Sequence, residues 1–242
     1  SLYYRLKYKY ESYRVSRFCK QNKINLPIYP TGGEVFFLDA LDASKNYFKN
    51  SSILLDIGAY KGGFSYFAAQ YFNFKKIICF EPNTKLIKII EENLQNIDNV
   101  IIENLALAKN KGKTKYYRHD IDQMNSTTKH KNKIMLNDFA YNNPGKIEID
   151  EVNKINLNTY IKKNNLENEK FFIRIDTQGT EFNILKYGDK VLENTEICIV
   201  EYMFTNPYES NFNFLDLHRL MSDYKFNCGG PIRITKISSN KI

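Results

Sequence analysis

The chain lacks any apolar run approaching eighteen residues, so nothing in its 242 residues reads as a membrane span. It shows no internal repeat and, starting at Ser1, no secretory signal pattern. It is poor in metal-ligand chemistry, with three histidines and four cysteines. Cys19, Cys79, Cys198 and Cys228 are scattered without a C-x-x-C pair, which argues against a disulfide framework or a zinc site. Free thiols of this kind fit a reducing compartment.

Basic charge is present but unevenly spread. Of the formal net charge of +8, residues 1–25 carry +6, seven Lys and Arg against Glu11 alone, leaving +2 for the rest. The bulk of the chain is therefore nearly neutral and offers no basic groove for nucleic acid. With 43% hydrophobic residues, one α/β domain with a modest extension is within reach. The expected division is a tyrosine-rich helical extension and linker over 1–50 and a main domain over 51–242. Tyr3, Leu6, Tyr10 and Tyr13 fall on one helical face. That face either packs on the main domain or, with its basic neighbours, makes residues 1–24 a docking surface for a membrane or a partner enzyme. Pro27, Pro30, Gly32 and Gly33 mark the linker. Val35 to Leu41 reads as a short apolar segment, and Asp42 to Tyr47 is expected to lead into a helix or loop that roofs the turn described next.

That turn organises the chain. Ile53 to Ile57 is a short apolar run that reads as a buried parallel strand. Gly58 to Gly63 turns the chain, and Phe64, Phe67, Ala68 and Tyr71 recur at helical spacing. A strand, a glycine turn and a helix bind nucleotide-like ligands. A dinucleotide fingerprint needs a second glycine where Tyr60 stands, and a tyrosine there obstructs a pyrophosphate. S-adenosylmethionine (SAM) has no phosphate and needs no such gap. Asp56, at the strand's end, is expected to face its ammonium group. Glu81, 23 residues after Gly58 and closing the strand Lys76–Phe80, is expected to accept from the ribose hydroxyls. Pro82 ends that strand, and Thr84 is placed to cap the next helix.

Further along, Val100 to Leu107 reads as a third strand whose end, Asn104-Leu105-Ala106, flanks the adenine. Thr114–Tyr117 and Lys146–Val152 read as added edge strands, with a turn at 142–145. Residues 120–133 read as a mobile loop over the site, carrying His130 and following His119; either histidine could accept a proton. Phe171–Asp176 and Ile197–Val200 are the fourth and fifth strands, so Asp176 and Glu201 share the carboxyl edge where open α/β sheets bind ligands.

The motifs Leu55-Asp56-Ile-Gly58-Ala59-Tyr60-Lys-Gly62-Gly-Phe-Ser65, Phe80-Glu81-Pro82-Asn83, Asn104-Leu105-Ala106-Leu and Ile175-Asp176-Thr-Gln178-Gly179-Thr-Glu181 resemble the FkbM family of SAM-dependent methyltransferases. The resemblance spans roughly Ile53 to Phe226. It implies a Rossmann-like fold with a seven-stranded, mostly parallel sheet whose last strand is reversed, SAM as methyl donor, and an oxygen acceptor such as a sugar or metabolite hydroxyl. Carried over, the cofactor residues are Asp56, Gly58, Ala59, Tyr60, Gly62, Ser65, Glu81, Pro82, Asn83, Asn104, Leu105, Ala106 and Asp176. Asp176 and Glu201 are the catalytic candidates, and Gln178, Glu181, His119 and His130 face the substrate. Glu181 has a second reading as a cap of its own helix. The sequence departs from the family at Asn158, where Asp is usual, and lacks a glycine before the sixth strand. No metal site is expected, although a divalent ion near Asp176 would also acidify a hydroxyl.

Two rival functions remain. Thr205-Asn206-Pro207-Tyr208 superficially resembles an amino-methylating N-P-P-Y motif of nucleic-acid enzymes, but it lacks a proline and follows the fifth strand rather than the fourth. A non-catalytic SAM-binding scaffold is the other. A cytoplasmic location is expected from the thiols and the cofactor supply, with membrane-peripheral contact and the oligomeric state open.

Overall fold

The computed structural model describes residues 2–31, 33–49, 52–131, 146–204, 207–210 and 212–232, with side chains from residue 9 onward. The expected turn at 142–145, and Thr205 and Asn206 of the N-P-P-Y-like stretch, lie outside the described residues.

The central sheet is built from β1 (Ile53–Ile57), β2 (Lys76–Phe80), β3 (Val100–Glu103), β7 (Phe171–Ile175) and β8 (Thr195–Val200), in the order β3-β2-β1-β7-β8. All four pairings are parallel. Both faces are covered by helices, which is why these strands are largely apolar rather than alternating. On one face Leu54, Ile77, Cys79 and Phe172 pack against α2 (Glu34–Ser44), α3 (Gly63–Tyr71) and α4 (Thr84–Leu94). On the other, Ile53, Leu55, Ile57, Phe80 and Ile173 pack against α5 (Leu157–Lys163), α6 (Glu181–Lys186), α7 (Asp189–Leu192) and α8 (Phe214–Asp223). The chain steps outward from β1 to β2 and β3, then returns to the other side of β1 as β7. The switch point therefore lies between β1 and β7, where such sheets open a ligand crevice.

Three expectations change. The long third strand is broken: Leu105 N–H donates to the Glu103 carbonyl at 2.8 Å, a tight turn that ends β3. The chain then joins a second, three-stranded sheet as β4 (Ala106–Leu107), beside β6 (Glu148–Ile155) and β5 (Gly112–Arg118). The antiparallel pair is β5–β6; among the described residues the central sheet has five strands and no reversed one. Finally, α1 (Leu2–Asn22) buries a different face from the one expected. Val15 and Cys19 are buried, Phe18 stacks on Tyr71 at 5.7 Å, and Arg14 pairs with Asp39 at 2.6 Å. Tyr10 and Tyr13 are instead 63% and 60% exposed. The compact Val15 and Cys19 join a buried cluster with α2 and α3, while Tyr10 and Tyr13 stay in water. Thus α1 and α2 share one core with β1 and α3.

Candidate active site

The sheet's carboxyl edge opens into a cavity of about 1180 Å³. Its floor is the turn after β1. Gly58 has φ +82°, and a Cβ there would lie 1.9 Å from the Asp176 carbonyl oxygen, so only glycine lets the β1 and β7 tips approach this closely. The Gly58 and Ala59 N–H groups donate to the Phe80 carbonyl at 3.0 and 3.1 Å. Tyr60 takes φ +54°, and its N–H donates to Glu81 Oε2 at 2.9 Å. The Asn83 N–H donates to Glu81 Oε1 at 2.8 Å, which aims the carboxylate at the cavity. Burial raises the Glu81 carboxyl to about 7, against the pull of those two N–H donors. Behind it, Asn104 Nδ2 donates to the carbonyls of Glu81 and Pro82 at 2.9 and 3.1 Å. Asn83, not Thr84, caps α4 by accepting from Lys85 N–H.

The opposite wall holds a carboxyl pair at the tips of β7 and β8. Gln178, itself at φ +57°, donates through Nε2 to Asp176 Oδ1 at 2.9 Å and to Glu201 Oε2 at 2.7 Å. The Tyr208 hydroxyl donates to Gln178 Oε1 at 3.1 Å, and Ser126 Oγ donates to the Gln178 carbonyl at 2.7 Å. Burial pushes Asp176 upward, but Arg174 and hydrogen bonds from Glu201 and Gln178 bring it below its ordinary value. Burial and the Asp176 charge hold Glu201 well above its own. Within the pair the proton is therefore held more readily by Glu201 than by Asp176. Glu201 lines the cavity and is itself an exposed residue, held by the Gln178 amide.

Of the expected cofactor residues, Gly58, Ala59, Tyr60, Glu81, Pro82, Leu105, Ala106 and Asp176 line this cavity. Asp56, Gly62, Ser65, Asn83 and Asn104 do not. Asp56 is fully buried and lies off the cavity. It lies one residue short of the strand's end, so its side chain points to the α3 face, where Ser65 Oγ donates to Oδ2 at 2.6 Å and Arg174 pairs with Oδ1 at 3.2 Å. Gln178 and Glu201 reach the cavity, whereas Glu181 closes its own turn, accepting from the N–H groups of Thr177 at 2.7 Å and Gly179 at 3.0 Å. Of its two readings the structure places it as a turn-closing residue, with no face on the cavity.

The expected loop is not loose where it is described. A short helix at Asp122–Met124, a bridge from Tyr117 to Ser126 and another from His130 to Tyr208 pin it down. His119 and His130 are buried with ring centres 5.6 Å apart, and neither lines the cavity. His130 packs edge-on to Tyr208, and burial lowers its proton affinity. Two features escaped the sequence reading. One is Arg174, visible only as a lone charge inside Phe171-Phe-Ile-Arg-Ile. The other is an aromatic shelf at the cavity mouth: Tyr202, Phe204 and Phe214, with Phe204 74% exposed. No group of three or more His, Cys, Asp or Glu among the described residues could hold a metal ion.

A parallel doubly wound sheet with a glycine turn after β1 and a cavity-facing acid after β2 defines a Rossmann-like nucleoside-binding enzyme. The methyltransferase FkbM domain profile matches residues 56–228. The chain therefore belongs to the FkbM methyltransferase family and uses SAM as its cofactor. Among solved structures it is similar to a precorrin-6y C5,15-methyltransferase from Geobacter metallireducens, at 15% identity over 77% of this chain and 67% of that one, TM-score 0.36. It is also similar to a SAM-dependent methyltransferase from Aquifex aeolicus, at 12% identity over 87% of each chain, TM-score 0.36. No curated protein matches the chain.

The residues present fit this cofactor. Glu81 holds a buried carboxylate toward the cavity with lone pairs left for two hydroxyls, Leu105 and Ala106 offer an apolar wall, and the ionised Asp176 suits a cationic ligand.

Proposed function

We propose that the chain methylates a hydroxyl of a small molecule or glycan, with the Asp176–Glu201 pair as the proton acceptor. SAM, when bound, supplies the activated methyl group. The chain's own residues hold the acceptor oxygen in line and take up its proton. The observation that carries the reading is the Gln178 amide donating to both carboxylates at the cavity wall. It locks them in one orientation, with the negative charge on the side that meets the acceptor. The aromatic shelf beside Glu201 supports a ring-shaped acceptor, since Tyr202 and Phe214, 5.5 Å apart, offer apolar faces next to hydrogen-bonding groups. The polysaccharide or secondary-metabolite setting and the cytoplasmic location belong to the same proposal; no described helix is long and apolar enough to cross a membrane.

The test is production of S-adenosylhomocysteine from SAM across a panel of sugar and metabolite hydroxyl acceptors. Asp176→Asn is expected to abolish turnover, and Glu201→Gln to lower it by about 10²–10⁴-fold. Wild-type rates in both variants, with their S-adenosylhomocysteine affinity intact, would overturn the assignment. The nucleic-acid reading finds no support in the near-neutral main body, and Tyr208 is fully buried behind Gln178 rather than offered to a base. A scaffold role would leave every acceptor in the panel unmethylated.

A further inference from the structure

We propose that Arg174 is a positioning residue that fixes the charge of the carboxyl pair and ties it to the cofactor turn. One guanidinium makes three polar contacts across the switch point. Its Nη1 meets Asp56 Oδ1 at 3.2 Å and donates to the Gly58 carbonyl at 2.8 Å, while Nη2 meets Asp176 Oδ2 at 2.5 Å. The planar fork suits this bridging, which a lysine ammonium on one flexible stem does not reproduce. Phe37 and Phe64 flank the guanidinium, at 6.0 and 5.6 Å from their ring centres. Its side chain is only 12% exposed, so little water screens the contacts.

The register explains the arrangement. Asp56 of β1 lies directly opposite Arg174 of β7, and Asp176 follows two residues on, on the same face. The same cation thus touches the turn that holds the cofactor and the acid that faces the acceptor. The charged groups around it are Asp56 from β1, Asp176 from the β7 tip, Glu201 after β8 and Glu81 after β2, with Glu181 from α6 acting on Glu201. Four carboxyls face one cation, so removing the cation must favour protonation of the pair. The catalytic meaning of this bracing rests on the reading of the pair as proton acceptor, but the titration itself does not.

The test is carbon-13 NMR of protein labelled at Asp and Glu carboxyls, with Asp176→Asn and Glu201→Gln assigning the signals. In Arg174→Met and Arg174→Gln the lower step of the pair is expected to rise by about 1–3 pH units. Arg174→Lys, which keeps the charge, is expected to restore most of the low value while weakening S-adenosylhomocysteine binding through loss of the Gly58 contact. Failure of the neutral variants to fold at pH 7, if reversed by acid that protonates Asp56 and Asp176, is the same outcome. Unchanged titration, or unfolding that acid does not reverse, overturns the proposal. Either negative result would leave the turnover test of Asp176 and Glu201 standing by itself.

Discussion

Glu81 shows how a single buried carboxylate is tuned by what surrounds it. Two backbone N–H donors hold it, yet burial still raises it to about 7. Its folded value lies above its ordinary one, so in the empty protein the stabilising proton is lost as pH rises through about 7. Ligand hydroxyls that donate to the ionised form offset that loss. S-adenosylhomocysteine is therefore expected to bind more tightly above pH 7 than at pH 5.5, with Glu81→Ala weakening it by about 1–3 kcal/mol and flattening the pH dependence. Isothermal calorimetry across that range checks both; a pH profile unchanged in Glu81→Ala would refute the ribose role. Gly58 is decided by contact rather than charge. Gly58→Ala is expected to cost about 1–2 kcal/mol for its left-handed backbone and a further 1–3 kcal/mol for the crowded Asp176 carbonyl, read from the denaturant midpoint. At this scale Glu81 and Gly58 were legible because their spacing follows the motif. Arg174 was not, because its role depends on which strand lies beside β1.

At the scale of elements, helices on both sheet faces explain why the strands are largely apolar and why a buried charge there needs a partner. Asp56 and Arg174 share the parity of Leu54 and Phe172, and they survive burial because each neutralises the other. Breaking the pair with Arg174→Met is expected to destabilise the fold by on the order of 3–5 kcal/mol at neutral pH, measured by urea unfolding. Val35 to Leu41 was read only as a short apolar segment, yet within α2 Leu41 is fully buried in the core it shares with α1 and α3. Leu41→Ala is expected to cost about 2–5 kcal/mol, and a cost near zero would contradict the shared core. The periodicity of α1 is misleading because tyrosine counts as apolar in a helical wheel while remaining content in water. The third strand was overread because Val100 to Leu107 is apolar through two elements, and the turn at Glu103–Leu105 carries no glycine or proline to mark it.

For the whole molecule, the uneven charge acquires a place. The exposed side of α1 presents Tyr10, Tyr13, Arg17 and Lys20 at helical spacing, away from the core. The docking reading predicts binding to vesicles containing anionic lipid, falling with salt. Arg17→Ala with Lys20→Ala is expected to weaken it by about 2 kcal/mol, at roughly 1 kcal/mol per basic residue. Co-sedimentation equal in parent and variant would remove the docking reading and leave α1 a packing element. The sequence by itself determined the parallel α/β class, the glycine turn, the acid after β2 and the two acids on the carboxyl edge, because strand periodicity and turn chemistry are local. Only the tertiary structure decided which of those residues meet. Asp56 was drawn from the ligand to Arg174, Glu181 to its own turn, the histidines behind Tyr208, and Gln178 between two carboxylates. The reason is physical: strand order and register set distances between residues more than a hundred positions apart, and no local pattern encodes them.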